Sequence, residues 1–297
     1  MSDPAAMLGE WEAHLRDARR RSPHTVRAYV GAARRLLHTD ANWNAIARMD
    51  PRALRSHLAH RRADGLSNTS AARELSALKA FVIFAKERAG LADTAPLRMR
   101  GPRVKKGIPR PVTPDDAAGL AETVDALARE DWIGARDKAV LLLLYGAGLR
   151  IAEALSLDAR VLPLGEVLRV KGKGGKERVV PILPAISEAM QNYVILCPWS
   201  LAPNERLFRG AKGGPLSPTM VQRVLAQARR ALGLPDSATP HALRHSFATH
   251  LLGAGADLRS LQELLGHASL GSTQIYTKVD AATMLDTYRA AHPRERD

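Results

Sequence analysis

Apolar residues recur at helical spacing along almost the whole of this 297-residue chain, and that periodicity limits the fold more than any other feature. Ser22-Pro23 opens a stretch in which Val26, Tyr29, Val30, Ala33, Leu36 and Leu37 share one helical face. Asp50-Pro51 starts another, with Leu54 and Leu58. Asn68 or Thr69 is a cap for a third, striped by Leu75, Leu78, Phe81, Val82 and Ala85 and closed by Gly90. Further on, helices are expected from Asp115, through Ala139 to Tyr145, around Ser187 to Tyr193, and over Pro218–Leu232, Pro240–Leu252 and Asp257–Leu265. The exception is a pair of strands, Val167–Val170 and Glu177–Ile182, about the turn Gly172-Lys173-Gly174-Gly175. The expected fold is mainly α: an all-helical N-terminal domain, then an α+β domain with a small antiparallel sheet.

Between Pro96 and Pro114 the pattern lapses. Pro102, Pro109, Pro111 and Pro114 share this segment with Arg100, Arg103, Lys105, Lys106 and Arg110, as in an extended basic linker. The expected division is a domain over 1–100, a linker over 101–113 and a second domain over 114–297.

Charge follows the same division. Of a net +14, residues 1–111 hold 22 Lys or Arg against 10 Asp or Glu, and the remainder hold 22 against 20. A basic N-terminal third suits a polyanion, because each phosphate contact releases condensed counterions. A solvated Arg-rich surface is the plainer account, so charge alone favours nucleic acid and goes no further. Cys197 is the single cysteine, which excludes an intrachain disulfide and a multi-cysteine zinc site. A reducing, cytoplasmic setting is expected. The longest apolar run, Ala139 to Tyr145, is far too short to span a membrane, and Met1 to Glu10 lack the order of a secretory signal.

Four segments carry side chains capable of chemistry. In Thr239-Pro240-His241-Ala242-Leu243-Arg244-His245, Thr239 is a fitting N-cap and Pro240 suits the first turn, so His241 and Arg244 fall on one helix face. An imidazole and a guanidinium at a helix N-terminus make an anion site. Two other accounts stay open: ordinary polar residues at a helix start, or zinc held by His241 and His245 with His250 nearby. The second lacks the Glu of a metalloprotease helix. In Gly148-Leu149-Arg150-Ile151-Ala152-Glu153, Arg150 follows a glycine break and Glu153, one turn on, is placed to hold its guanidinium. An exposed ion pair worth a few tenths of a kcal/mol would look the same. Lys173 lies among the glycines of the hairpin turn, flanked by Lys171 and Lys176, where a lysine is either a general acid or simply solvated. Last, Leu265-Gly266-His267 precedes Thr273-Gln274-Ile275-Tyr276-Thr277. A tyrosine is a weak nucleophile at its ordinary pKa near 10 and needs cationic neighbours.

Taken together and in order, Arg150, Lys173, His241, Arg244, His267 and Tyr276, within the strings GLRIAE, KGKGGKER, HALRHSFATHLL, LLGHASL and STQIYTKV, resemble the tyrosine recombinase (phage integrase) family. The resemblance is strong from about Ala139 to Tyr276 and weaker before it. The closing YRAAHPRERD and the compact length are similar to the Xer subfamily, nearer its XerC than its XerD branch.

The resemblance implies a helical, SAM-like core-binding domain followed by a catalytic domain. Arg150 and Arg244 would clamp the scissile phosphate, with Glu153 in support. His241 and His267 would hydrogen-bond it, Lys173 would protonate the leaving 5′ oxygen, and Tyr276 would form a 3′-phosphotyrosine. It further implies double-stranded DNA with a specific recombination site as substrate, a second Xer-type recombinase in a heterotetramer, an activating DNA translocase, and no membrane. Chromosome-dimer resolution at cell division is the expected role; a mobile-element or phage integrase has the same chemistry. A non-enzymatic DNA-binding protein on the same scaffold and a type IB topoisomerase are the readings of other classes. No cofactor or metal is expected, since strand exchange conserves the phosphodiester bond energy and the sequence carries neither a P-loop nor an obvious carboxylate cluster for magnesium. The stretch with Ala281, Ala282, Met284, Leu285 and Tyr288 would dock on a neighbouring protomer, though packing on its own domain is physically as good. Arg73, Lys79 and Arg103 are candidate DNA contacts.

Overall fold

Proline at the first helical position sets where seven of the helices begin: Pro4, Pro23, Pro51, Pro114, Pro184, Pro218 and Pro240 each open one. Before six of them a side chain, of Asp3, Ser22, Asp50, Thr113, Ser217 or Thr239, accepts a first-turn backbone N–H. The computed structural model describes residues 3–38, 41–102, 112–172 and 177–253, together with Leu265. The chain divides into two units, residues 1–107 and 108–297.

In the first unit, α1 (Pro4–Ala13) runs into a π-helical turn, followed by α2 (Pro23–Leu36), α3 (Trp43–Ala47), α4 (Pro51–Ala63) and the long α5 (Asn68–Arg88). The N-cap of α5 is Ser67, which accepts from the Ser70 N–H at 3.2 Å, one residue ahead of the two candidates above. Helix α5 packs on α2, α3 and α4, burying Leu78, Phe81, Val82 and Ala85 fully. Each such large apolar side chain contributes about 1.5–3 kcal/mol. Trp11, Trp43 and Phe84 join them, with Trp11 5.1 Å and Trp43 5.4 Å from the Phe84 ring.

One polar element lies in this core. Glu74 of α5 accepts from Arg35 of α2 at 2.8 Å and is 3.2 Å from His57 Nε2 of α4, with Arg61 also of α4 at 3.6 Å. A buried carboxylate thus ties three helices together.

The chain after α5 turns back on it. Leu91, Leu97 and Met99 pack against the first core, while Lys86 donates to the Ala95 carbonyl at 3.0 Å and Lys79 to that of Met99. Residues 103–111 lie outside the described residues, but Val112 is buried in the second core and its N–H donates to Ser246 Oγ at 2.8 Å. The first residues of the stretch from Pro96 thus pack on the N-terminal core.

The second unit is built round α7 (Asp131–Gly146), most of whose residues are buried; that burial accounts for its continuous apolar run. It packs against α6 (Pro114–Ala126), α8 (Ile151–Leu155), α9 (Pro184–Leu196) and α11 (Pro240–Gly253), with α10 (Pro218–Ala231) on α6 and α8. Helix α6 begins at Pro114, one residue before Asp115, because Thr113 and Asp116 form a reciprocal capping box. The two strands, β1 (Val167–Lys171) and β2 (Glu177–Pro181), pair antiparallel with Val170 opposite Arg178. The expected helix over Asp257–Leu265 falls, apart from Leu265, outside the described residues.

Candidate active site

Helix α7 stops at Gly146, and Gly148 turns the chain with φ +61°. A Cβ at Gly148 would stand 2.5 Å from a ring carbon of Phe247, so the position demands glycine for both backbone and space. The turn delivers Arg150 to the N-cap of α8 and Glu153 to its first turn. There Glu153 accepts from the Arg150 N–H at 2.8 Å and from its guanidinium at 2.7 Å.

The pair is not an exposed one. Glu153 is 5% exposed and gathers two more arginines. Arg178 of β2 places Nη1 3.0 Å and Nη2 2.7 Å from the two carboxylate oxygens, a fork-to-fork contact. Arg244 of α11, 91 residues along the chain, donates to the same carboxylate at 3.4 Å. It also donates to the carbonyls of Gly148 and Leu265. Thr239 caps α11, its Oγ1 accepting from the Ala242 N–H at 3.2 Å.

Exposure divides the cluster. The Arg150 side chain is 38% exposed, whereas those of Arg178 and Arg244 are 7% exposed. His241 is exposed on the first turn of α11. At the other end of that helix, His250 Nδ1 lies 3.0 Å from the hydroxyl of Tyr145 at the end of α7.

Burial opposes ionisation of Glu153, but the hydrogen bonds from Arg178 and from the Arg150 amide outweigh it and hold the carboxyl at about 2. Burial, joined by repulsion from Arg150 and Arg178, brings Arg244 down to about 10. Three guanidiniums thus surround one carboxylate and leave a surplus of positive charge, which an oxyanion such as a phosphodiester would balance.

The structure therefore brings Arg150, Glu153 and Arg244 together. Lys173, His267, Tyr276 and Arg103 lie outside the described residues, as does the stretch from Ala281 to Tyr288. Of the candidate DNA contacts in the first unit, Arg73 is exposed on α5, and Lys79 is half-buried with its ammonium on the Met99 carbonyl. Arg178 was not singled out from the sequence. The signal was available: alternation along β2 puts it on the face of the buried Val180, where a charge needs a partner. Among the described residues no group of three or more His, Cys, Asp or Glu is placed to hold a metal, and no helix is long and apolar enough to cross a membrane.

The chain belongs to the phage integrase family, whose signature matches residues 112–283, while the N-terminal SAM-like domain of phage integrases matches residues 8–89. It is a site-specific DNA recombinase of the tyrosine type. Among similar proteins is the tyrosine recombinase XerC of Nitrobacter winogradskyi, 47% identical over 306 residues, covering 99% of this chain and 95% of that one. Another is the XerC of Mesorhizobium japonicum, 49% identical over 302 residues, covering 98% and 96%. Of solved structures, a lambda integrase tetramer bound to a Holliday junction has a TM-score of 0.65 at 19% identity, covering 93% of this chain and 81% of that one. A XerH recombinase on its palindromic difH substrate, in a post-cleavage complex, has a TM-score of 0.64 at 21% identity, covering 94% and 85%. These two likenesses establish the fold.

Proposed function

We propose that Arg150 and Arg244, held on Glu153, bind the non-bridging oxygens of a scissile phosphate in double-stranded DNA, and that Tyr276 attacks its phosphorus. The observation that carries this reading is the convergence of arginines from distant parts of the chain on one buried carboxylate. The negative charge that grows on the phosphate in the transition state meets fixed positive groups that need no reorganisation. His241 and His267 hydrogen-bond the phosphate, and His241 accepts the tyrosine proton. Lys173 protonates the leaving 5′ oxygen, giving a 3′-phosphotyrosine, which the 5′-hydroxyl of a partner strand reverses. Each step exchanges one phosphodiester for another, so ATP has no part in it.

The XerC name of the relatives supports resolution of chromosome dimers at cell division, in the cytoplasm, with a second Xer-type recombinase completing a tetramer and a DNA translocase as activator. In this reading residues 1–100 form the core-binding domain, 101–113 the linker and 114–297 the catalytic domain. Arg73, Lys79 and Arg103 serve as phosphate contacts, for which Lys79 must leave the Met99 carbonyl.

The test is a nicked duplex that traps the covalent intermediate. The wild-type protein gives a protein–DNA band that survives denaturant without metal or ATP. Tyr276→Phe binds the same duplex and gives none; an adduct formed by the Phe variant ends the assignment of the nucleophile.

A further inference from the structure

Arg178 is the member of the arginine cluster with no part in the scheme above. Its register opposite the buried Val170 turns it inward, and its side chain is 7% exposed against 38% for Arg150. It therefore has no open face towards a duplex and acts, if at all, through what it holds.

What it holds is the plane of the Glu153 carboxylate. Each guanidinium Nη of Arg178 donates to its own carboxylate oxygen, Nη1 to Oε1 at 3.0 Å and Nη2 to Oε2 at 2.7 Å. Two parallel hydrogen bonds fix rotation of a carboxylate in a way one cannot. Arg150 takes its own direction from the same group, through the 2.7 Å contact to Oε1. With Arg178 in place, the Glu153 charge is balanced from the buried side. Without it, the carboxylate has, among the described residues, only Arg150 and Arg244 to turn to, the two groups that the phosphate also needs.

We infer that Arg178 is a positioning residue for strand cleavage: by engaging both oxygens of Glu153 it keeps that carboxylate from competing with the scissile phosphate for Arg150. This rests on the phosphate-binding reading of the site.

The experiment measures single-turnover adduct formation on the nicked duplex, DNA affinity and melting temperature for the full-length Arg178→Met, Arg178→Lys, Glu153→Gln and Arg178→Met/Glu153→Gln proteins. Arg178→Met slows cleavage by about 10- to 100-fold, the size of effect that loss of an outer-shell partner has at metal sites, while DNA affinity changes by less than about twofold, because the residue does not face the duplex. Arg178→Lys falls between Arg178→Met and wild type, since an ammonium restores the charge but not the fork. Its melting temperature does not exceed that of the Met variant, so that rate and stability part company. The double variant is no slower than the slower single variant, because both substitutions remove one interaction.

Cleavage by Arg178→Met at the wild-type rate, rates that simply follow melting temperature across the variants, or losses that multiply in the double variant would each overturn the inference. A wild-type protein that forms no adduct would instead overturn the reading of the site beneath it.

Discussion

Glu153 shows how much one buried residue can organise. Burial alone would raise the pKa of this carboxylate; bonded by Arg178 and Arg150 it is held at about 2 against its usual 4.5. Because the folded value is the lower, the ionised group stabilises the fold in full above about 4.5, and that contribution drains away as pH falls towards about 2. The melting temperature of the wild type is therefore expected to drop more steeply between those limits than that of Glu153→Gln; parallel curves would show that this carboxylate carries no such linkage. Arg244, brought down to about 10, still keeps its proton at neutral pH by about a thousandfold, so the cluster meets DNA fully charged. Arg150 and Arg244 could be singled out from the sequence because each sits in a short recognisable string. Arg178 ends the string KGKGGKER and shares a strand face with Val180, but which group it serves is not written nearby: its carboxylate lies 25 residues earlier and meets it only after folding.

At the scale of elements, the turn between α7 and α8 does three things with one residue. Gly148 reverses the chain, admits the Phe247 ring, and offers its carbonyl to Arg244. Gly148→Ala is expected to destabilise the catalytic unit by about 2–4 kcal/mol, from left-handed backbone strain and overpacking together. Cleavage falls further than stability alone requires, since Arg244 loses its seat. Urea unfolding alongside the adduct assay checks this, and a fully stable Ala variant would sink it. Most helices were legible from apolar spacing, and their starts from proline and cap residues. The helices over Pro4–Ala13 and Trp43–Ala47 were not singled out, and two starts were misplaced. In Ser67-Asn68-Thr69 every residue can cap, and only the extended backbone of Ser67, φ −63° and ψ 154°, decides among them. Thr113 took the cap of α6 through its reciprocal bond with Asp116, a pairing that a reading started at Asp115 overlooks. The Glu74 tie among α2, α4 and α5 was not legible, because its partners come from separate helices.

Across the whole molecule the separation of charge matters most. The N-terminal third carries 22 basic against 10 acidic side chains, while the rest is nearly balanced. Contacts to phosphate are thus expected to dominate affinity, with the logarithm of the binding constant falling by about 0.9 per phosphate neutralised for each unit of log salt. Titrating the recombination-site duplex from low to physiological salt measures this, and a flat response would remove the electrostatic account of the basic region. The proline-rich basic stretch was the sign in composition of a division into two bodies. Leu97 and Met99, which fall inside the expected 1–100 domain, pack on the N-terminal core.

The backbone amide of Val112 is fastened to the hydroxyl of Ser246, two positions beyond Arg244 on the same helix. The tether from the first body is thus moored to the rod that bears His241 and Arg244. Without the Ser246 hydroxyl, a buried amide at the threshold of the catalytic unit would be left with no acceptor, beside the helix on which the phosphate-binding arginine is mounted.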